Sequence, residues 1–106
     1  MEITPLTYEI LLALADEDRH GYGMIKEIEG SGGTAVSTGA MYLALHRMQD
    51  EGLVTKAAPP SDNDDARRRY YSITEVGREI AERESERLVR LVATARKKRI
   101  LTEDAA

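Results

Sequence analysis

The fold of this chain is decided between residues 37 and 73, which read STGAMYLALHRMQDEGLV (37–54), a polar and proline-rich interlude, then RRRYYSI (67–73). Ser37 stands where a helix needs a cap, its hydroxyl placed to accept from a free N–H of the first turn. Met41, Leu45 and Met48 follow at i, i+4 and i+7 and are expected to face inward. Tyr42, His46 and Gln49 form a neighbouring stripe displaced by about 100°. The helix runs to Glu51 and stops at Gly52, a residue suited to the left-handed conformation that follows a helix end. Leu53–Ala58 and Arg68–Ile73 read as strands. The stretch 59–65 between them is too long and too rich in Pro and Asp for a two-residue hairpin, so it is read as an extended loop.

Working outward, Thr4 followed by Pro5 opens a first helix, with a capping hydroxyl and a proline whose missing N–H costs nothing at that position. Leu6, Ile10, Leu11, Leu14 and Leu12 carry its apolar spacing up to Ala15. Asp16–Arg19 reads as a polar turn. A shorter second helix opens at His20-Gly21-Tyr22-Gly23, with Tyr22, Ile25 and Ile28 on one face, and ends in the glycines at 30, 32 and 33. Thr74 caps a last helix expected from Glu75 to Ile100, roughly 39 Å at 1.5 Å per residue. That helix outruns a small domain, and Leu88, Leu91, Val92 and Ala95 on it need a surface to bury them. A symmetry mate is the expected one, with Leu88–Ala95 as the dimerisation stripe.

The chain has 106 residues, 32% of them charged and 42% hydrophobic, which suits one small globular unit with a thin core. It contains no Cys, excluding disulfides and thiolate metal sites and fitting a cytoplasmic location. No apolar run approaches a membrane span, and the N-terminus has no signal-peptide pattern. Two distant histidines, with no GxSxG, Walker or HExxH pattern, leave nothing from which to assemble an enzyme. No cofactor or metal is expected, and Asp62–Asp65 lacks the Gly and Glu of a calcium loop. The net charge is −4, but it is uneven: residues 1–58 hold nine acids and four bases, whereas 67–69 are three consecutive arginines.

A helix running into a two-stranded basic ribbon is the arrangement with which a winged helix-turn-helix grips DNA, the third helix entering the major groove and the ribbon loop acting as the wing. Ser37, Thr38 and Gly39 begin the third helix, where free N–H groups and the dipole suit a phosphate, although Ser37 also serves as a cap. Tyr42 either reaches a base edge or phosphate or packs its ring on the second helix or the wing. His46 and Arg47 are expected to touch the DNA backbone. Arg67, Arg68 and Arg69 are phosphate or minor-groove candidates, but strand alternation prevents all three from pointing one way. Ion pairs with Asp62, Asp64 and Asp65 are the competing use for them. Lys56 on the partner strand is a further candidate. Of Tyr70 and Tyr71, alternation places one in the core and the other at the DNA or dimer surface. His20 reads as a turn histidine bonded to backbone, and the basic run 95–99 as the favourable end of a helix dipole.

With these elements in order, the sequence resembles the PadR family of transcriptional regulators. The segments that carry the resemblance are TPLTYEILLALA (4–15), HGYGMIKEIE (20–29), STGAMYLALHRMQDEGLV (37–54) and RRRYYSITEVGRE (67–79). The resemblance implies a homodimeric repressor bound to an inverted-repeat operator on double-stranded DNA and released by a small-molecule effector. With a single C-terminal helix the chain looks like the short subfamily, some members of which stack aromatic drugs on a Trp of that helix; this chain has no Trp. The expected architecture is therefore mainly α with a small β-ribbon, a winged helix-turn-helix domain over residues 1–74 and a long C-terminal dimerisation helix with a short tail over 75–106. From a different class, a winged-helix module for protein–protein contact without specific DNA binding is the alternative that the acidic net charge permits.

Overall fold

A computed structural model describes residues 3–60 and 68–102. Arg67 and the aspartates of the loop before it, all named above, lie outside the described residues. Four helices and three short strands follow in the order α1 (Pro5–Leu14), β1 (Arg19–His20), α2 (Gly21–Gly30), α3 (Thr38–Asp50), β2 (Val54–Ala57), β3 (Tyr70–Ile73) and α4 (Glu75–Lys97). The protein is mainly helical with one small antiparallel sheet, the expected winged-helix class.

Each helix starts where its side-chain oxygen or nitrogen supplies a missing partner. Thr4, Ser37 and Thr74 accept from the N–H groups of Thr7, Ala40 and Gly77. His20 does the same for α2, its Nδ1 accepting from Gly23 N–H at 3.0 Å, the backbone-bonded turn histidine expected of it. Gly52 ends α3 with φ of 78°, as its position after the last turn requires. At the far end of α4 no glycine is present, and Arg99 adopts φ of 61° instead, stopping the helix three residues short of the expected Ile100.

The sheet departs from a simple ribbon. Its strand order is β1-β3-β2, so β3 is central. Arg19 and His20, read from sequence as a turn and a helix start, pair antiparallel with Tyr71 and Tyr70. A strand of two polar residues has no periodicity to betray it. Arg19 is held in place by its own neighbours: Nε donates to the Ala13 carbonyl at 2.7 Å, and the guanidinium pairs with Asp16, Glu17 and Glu27. The third strand also corrects the expectation for the tyrosines. Tyr71 joins the main core, while Tyr70 meets the His20 ring edge-on at 5.2 Å between centroids, so both are buried.

Ile10, Leu11 and Leu14 of α1, Met24 and Ile28 of α2, Met41, Leu45 and Met48 of α3, and Leu53 and Val54 form the core. On α2 the inward position belongs to Met24, not to Tyr22, which is half-exposed with Lys26 Nζ 5.4 Å from its ring centroid. Leu12 likewise faces out. The first turns of α4 belong to this core through Gly77 and Ala81, and Ser85 still meets Tyr8 of α1 at 2.6 Å before the helix leaves the body of the molecule. On its surface the Arg87 guanidinium donates to both oxygens of Glu84 at 2.8 and 2.7 Å, which holds that carboxyl below the usual carboxylate range.

Gly77 is required by space. A Cβ there would collide with the Leu53 carbonyl and stand 3.1 Å from both Ile73 and Leu11 side-chain carbons. Overpacking against backbone costs about 1–3 kcal/mol or more, against about 1 kcal/mol gained in helix propensity. Gly39 has nothing within 4 Å of its would-be Cβ. Gly77→Ala is therefore expected to lower the urea midpoint clearly and Gly39→Ala to hold or raise it; equal midpoints would contradict this packing.

Candidate nucleic-acid interface

The turn after α3 hands the chain directly to β2, and the antiparallel register sets Lys56 opposite Tyr71 and Val54 opposite Ile73. This brings the outer flank of α3 against the sheet and leaves a cleft of about 380 Å³ between them. Tyr42, His46 and Gln49 enter it from α3, which is the second stripe read from the sequence; Lys56 enters from β2, and Arg69 and Tyr71 from β3 and the residue before it. Four of the residues named as DNA contacts, Tyr42, His46, Lys56 and Arg69, thus share one concave surface. Asp50 is the acid on its rim. A cleft with a lysine and an arginine on one wall and an imidazole on the other offers donors from three elements to a phosphate oxygen.

Ser37, Thr38 and Gly39 lie at the open start of α3 and are all exposed. Ser37 Oγ accepts from Ala40 N–H at 3.1 Å, so its capping role is in place, and Gly39 leaves the backbone of the first turn bare. Arg68 and Arg69 diverge, as adjacent residues entering a strand must. Arg69 faces the α3 cleft, whereas Arg68 Nη1 sits 2.7 Å from His20 Nε2 on the β1 side. That side also carries a cleft lined by Glu17 and Asp18, an acidic setting less suited to phosphate.

Arg47 is not brought to the cleft. It turns toward α1, where Nη2 donates to Thr7 Oγ1 at 3.0 Å and Nε lies 3.6 Å from Glu51. This corrects the expectation that it touches DNA beside His46: one residue further along, it stands about 100° around the helix. Gln49 and Tyr71 were not among the named contacts. Gln49 shares the stripe of Tyr42 and His46, and that spacing is the signal that marks it. Among the described residues no group of three or more His, Asp or Glu is placed to hold a metal ion. No helix among them is long and apolar enough to cross a membrane.

The sequence model of the transcriptional regulator PadR-like family matches residues 10–83. Among solved structures, the chain is similar to a PadR-like transcriptional regulator of Bacillus cereus, with 32% identity, a TM-score of 0.73, and coverage of 92% of this chain and 93% of that one. It is also similar to a PadR family transcription regulator of Clostridium difficile, at 23% identity and a TM-score of 0.76 over 92% of this chain and all of that one, a likeness of fold. A curated relative, an uncharacterized 37.1 kDa protein in a transposon of Streptomyces fradiae, is 35% identical over 82 residues. Those residues are 77% of this chain, which spans only 22% of that relative.

One feature of the cleft depends on the start of α2. A Cβ on Gly21 would stand 2.7 Å from both Cζ and Oη of Tyr42, so the Tyr42 ring lies directly over that glycine. Tyr42 is 39% exposed. Gly21→Ala is expected to cost no more than the about 1–3 kcal/mol of an overpacking change, while shifting the Tyr42 ring resonances in NMR spectra. Unchanged Tyr42 resonances would contradict the contact.

Proposed function

The chain belongs to the PadR-like family of transcriptional regulators, and from that premise we propose that it binds double-stranded DNA as a homodimer and represses transcription in the cytoplasm. The start of α3, at Ser37, Thr38 and Gly39, enters the major groove, with Tyr42 and His46 facing the groove wall. Lys56 and Arg69 hold the adjacent phosphates, with Arg67 as a further phosphate contact. Residues 1–74 are the DNA-binding unit and residues 75–106 the dimerisation unit, joined through the first turns of α4. Leu88, Leu91, Val92 and Ala95 form the subunit contact; Leu91 and Val92 are 52% and 38% exposed in the single chain. Two-fold symmetry calls for a pseudo-palindromic operator with half-sites about 34 Å apart or a multiple of that. A small-molecule effector that releases the operator completes the reading.

The observation that carries the proposal is the convergence of Tyr42, His46, Lys56 and Arg69 on one cleft beside α3. In a chain of net charge −4 such a local cationic wall is needed for any nucleic-acid contact. Each phosphate contact adds about 0.9 to the slope of log affinity against log salt. Lys56→Ala combined with Arg69→Ala is expected to weaken binding to all duplexes and to flatten that slope by roughly 2. An unchanged slope removes the cleft from the interface. Failure to bind any DNA alongside a stable protein partner would favour the protein–protein module instead.

A further inference from the structure

Helix α3 turns one side into the core and holds the opposite side to solvent. Met41, Ala44, Leu45 and Met48 are its buried residues. At about 100° per residue, the direction facing away from them runs through Gly39, Leu43, His46 and Asp50. This outward row lies between the cleft that holds Tyr42, Lys56 and Arg69 on one flank and Arg47 on the other. It is therefore the part of α3 that meets whatever docks on the cleft. Leu43 in the row is 75% exposed, and among the described residues before α4 no large apolar side chain is more so. A lone surface leucine is ordinary; the position of this one gives it a use.

Its neighbours leave it standing clear. Gly39, one turn earlier, has nothing within 4 Å of where a Cβ would stand, so the backbone there can come close to a groove floor. Ala40 beside it is exposed and adds only a methyl group. Arg47, one turn later, has the fork that suits a guanine edge, but it is drawn off to Thr7 Oγ1 and Glu51. Gln49, whose amide suits adenine, lies in the cleft and not on the outward row. The middle of the row thus presents a branched apolar side chain where a base reader would carry a donor or an acceptor.

The major groove has one apolar feature to match it, the C5-methyl group of thymine. Leucine pressed against a purine N7, a carbonyl oxygen or an exocyclic amine would strip water from that group and return no hydrogen bond. Against the thymine methyl it buries apolar surface on both partners. We propose that Leu43 is a specificity-determining residue that packs on the methyl group of one thymine in each half-site. Lys56 and Arg69 then supply attraction that is indifferent to sequence, and Leu43 supplies part of the preference. The inference rests on the DNA-binding reading above and gives it a base to recognise.

Uracil in place of thymine removes the methyl group and leaves every hydrogen-bonding group of the base pair where it was. A duplex selected by the full chain from a randomised pool is resynthesised with uracil at one thymine of one half-site at a time. Affinity is read by fluorescence anisotropy at fixed salt. One thymine position in the half-site is expected to lose about fourfold on substitution, the size of one methyl group taken out of an apolar contact. Leu43→Ala is expected to melt as the parent chain does, because the side chain stands in solvent. It is also expected to bind the thymine and uracil duplexes equally, with the salt slope of the parent. Indifference of the parent to uracil at every thymine, or a thymine preference that survives in Leu43→Ala, overturns the role of Leu43 and leaves DNA binding standing. A changed salt slope in Leu43→Ala would mean that the residue sets the docking and not the reading, and overturns it too. A pool from which no duplex is enriched overturns both readings.

Discussion

Everything in this molecule hangs on the junction at Thr74. Its hydroxyl donates to the Gly52 carbonyl at 2.6 Å and accepts from Gly77 N–H at 3.0 Å, and its own N–H donates to the Leu53 carbonyl at 3.1 Å. One residue therefore ties the end of α3, the start of β2, the end of β3 and the first turn of α4. Leu53 N–H in turn closes on Met48 at 2.9 Å, so the last turn of α3 belongs to the same knot. Gly77 allows it, because only a residue without a side chain lets α4 approach the Leu53 carbonyl so closely. The angle between α3 and the sheet, and with it the cleft that collects His46, Lys56 and Arg69, follows from this close approach.

The same junction explains why α4 has two characters. Its first turns are core, with Gly77 and Ala81 buried, and the remainder leaves the body of the protein carrying apolar residues in the open. A small domain with a thin core gains from adding a second apolar contact, and the exposed stripe on α4 is where such a contact is available. The cleft beside α3 and the exposed stripe of α4 then lie on either side of that junction.

Much of this was legible in the chain because helices announce themselves twice, by cap and by period. Ser37, Gly52 and Thr74 mark boundaries that the structure keeps, and Met41, Leu45 and Met48 are all fully buried. Strand β1 was not legible, since Arg19 and His20 are polar, two residues long and defined only by pairing with a segment fifty residues away. Missing it also hid why Tyr70 and Tyr71 are both buried: alternation leaves one face open only on a sheet that nothing covers, and here His20 covers the second face. On α2, Tyr22 and Met24 compete for the inward position, and apolar spacing alone does not rank them. In the site, the convergence of Tyr42, His46 and Lys56 follows from period and register, whereas the turn of Arg47 toward Thr7 depends on tertiary packing that no local pattern encodes.

An acidic chain can grip DNA only through a small basic patch, and a grip of that kind weakens with salt. The most direct test is to select bound duplexes from a randomised pool with the full chain and titrate salt against the selected sequence by fluorescence anisotropy. The account predicts enrichment of a pseudo-palindromic site whose affinity falls linearly in log salt with a slope of several units. No enrichment, or an association indifferent to salt, would contradict it.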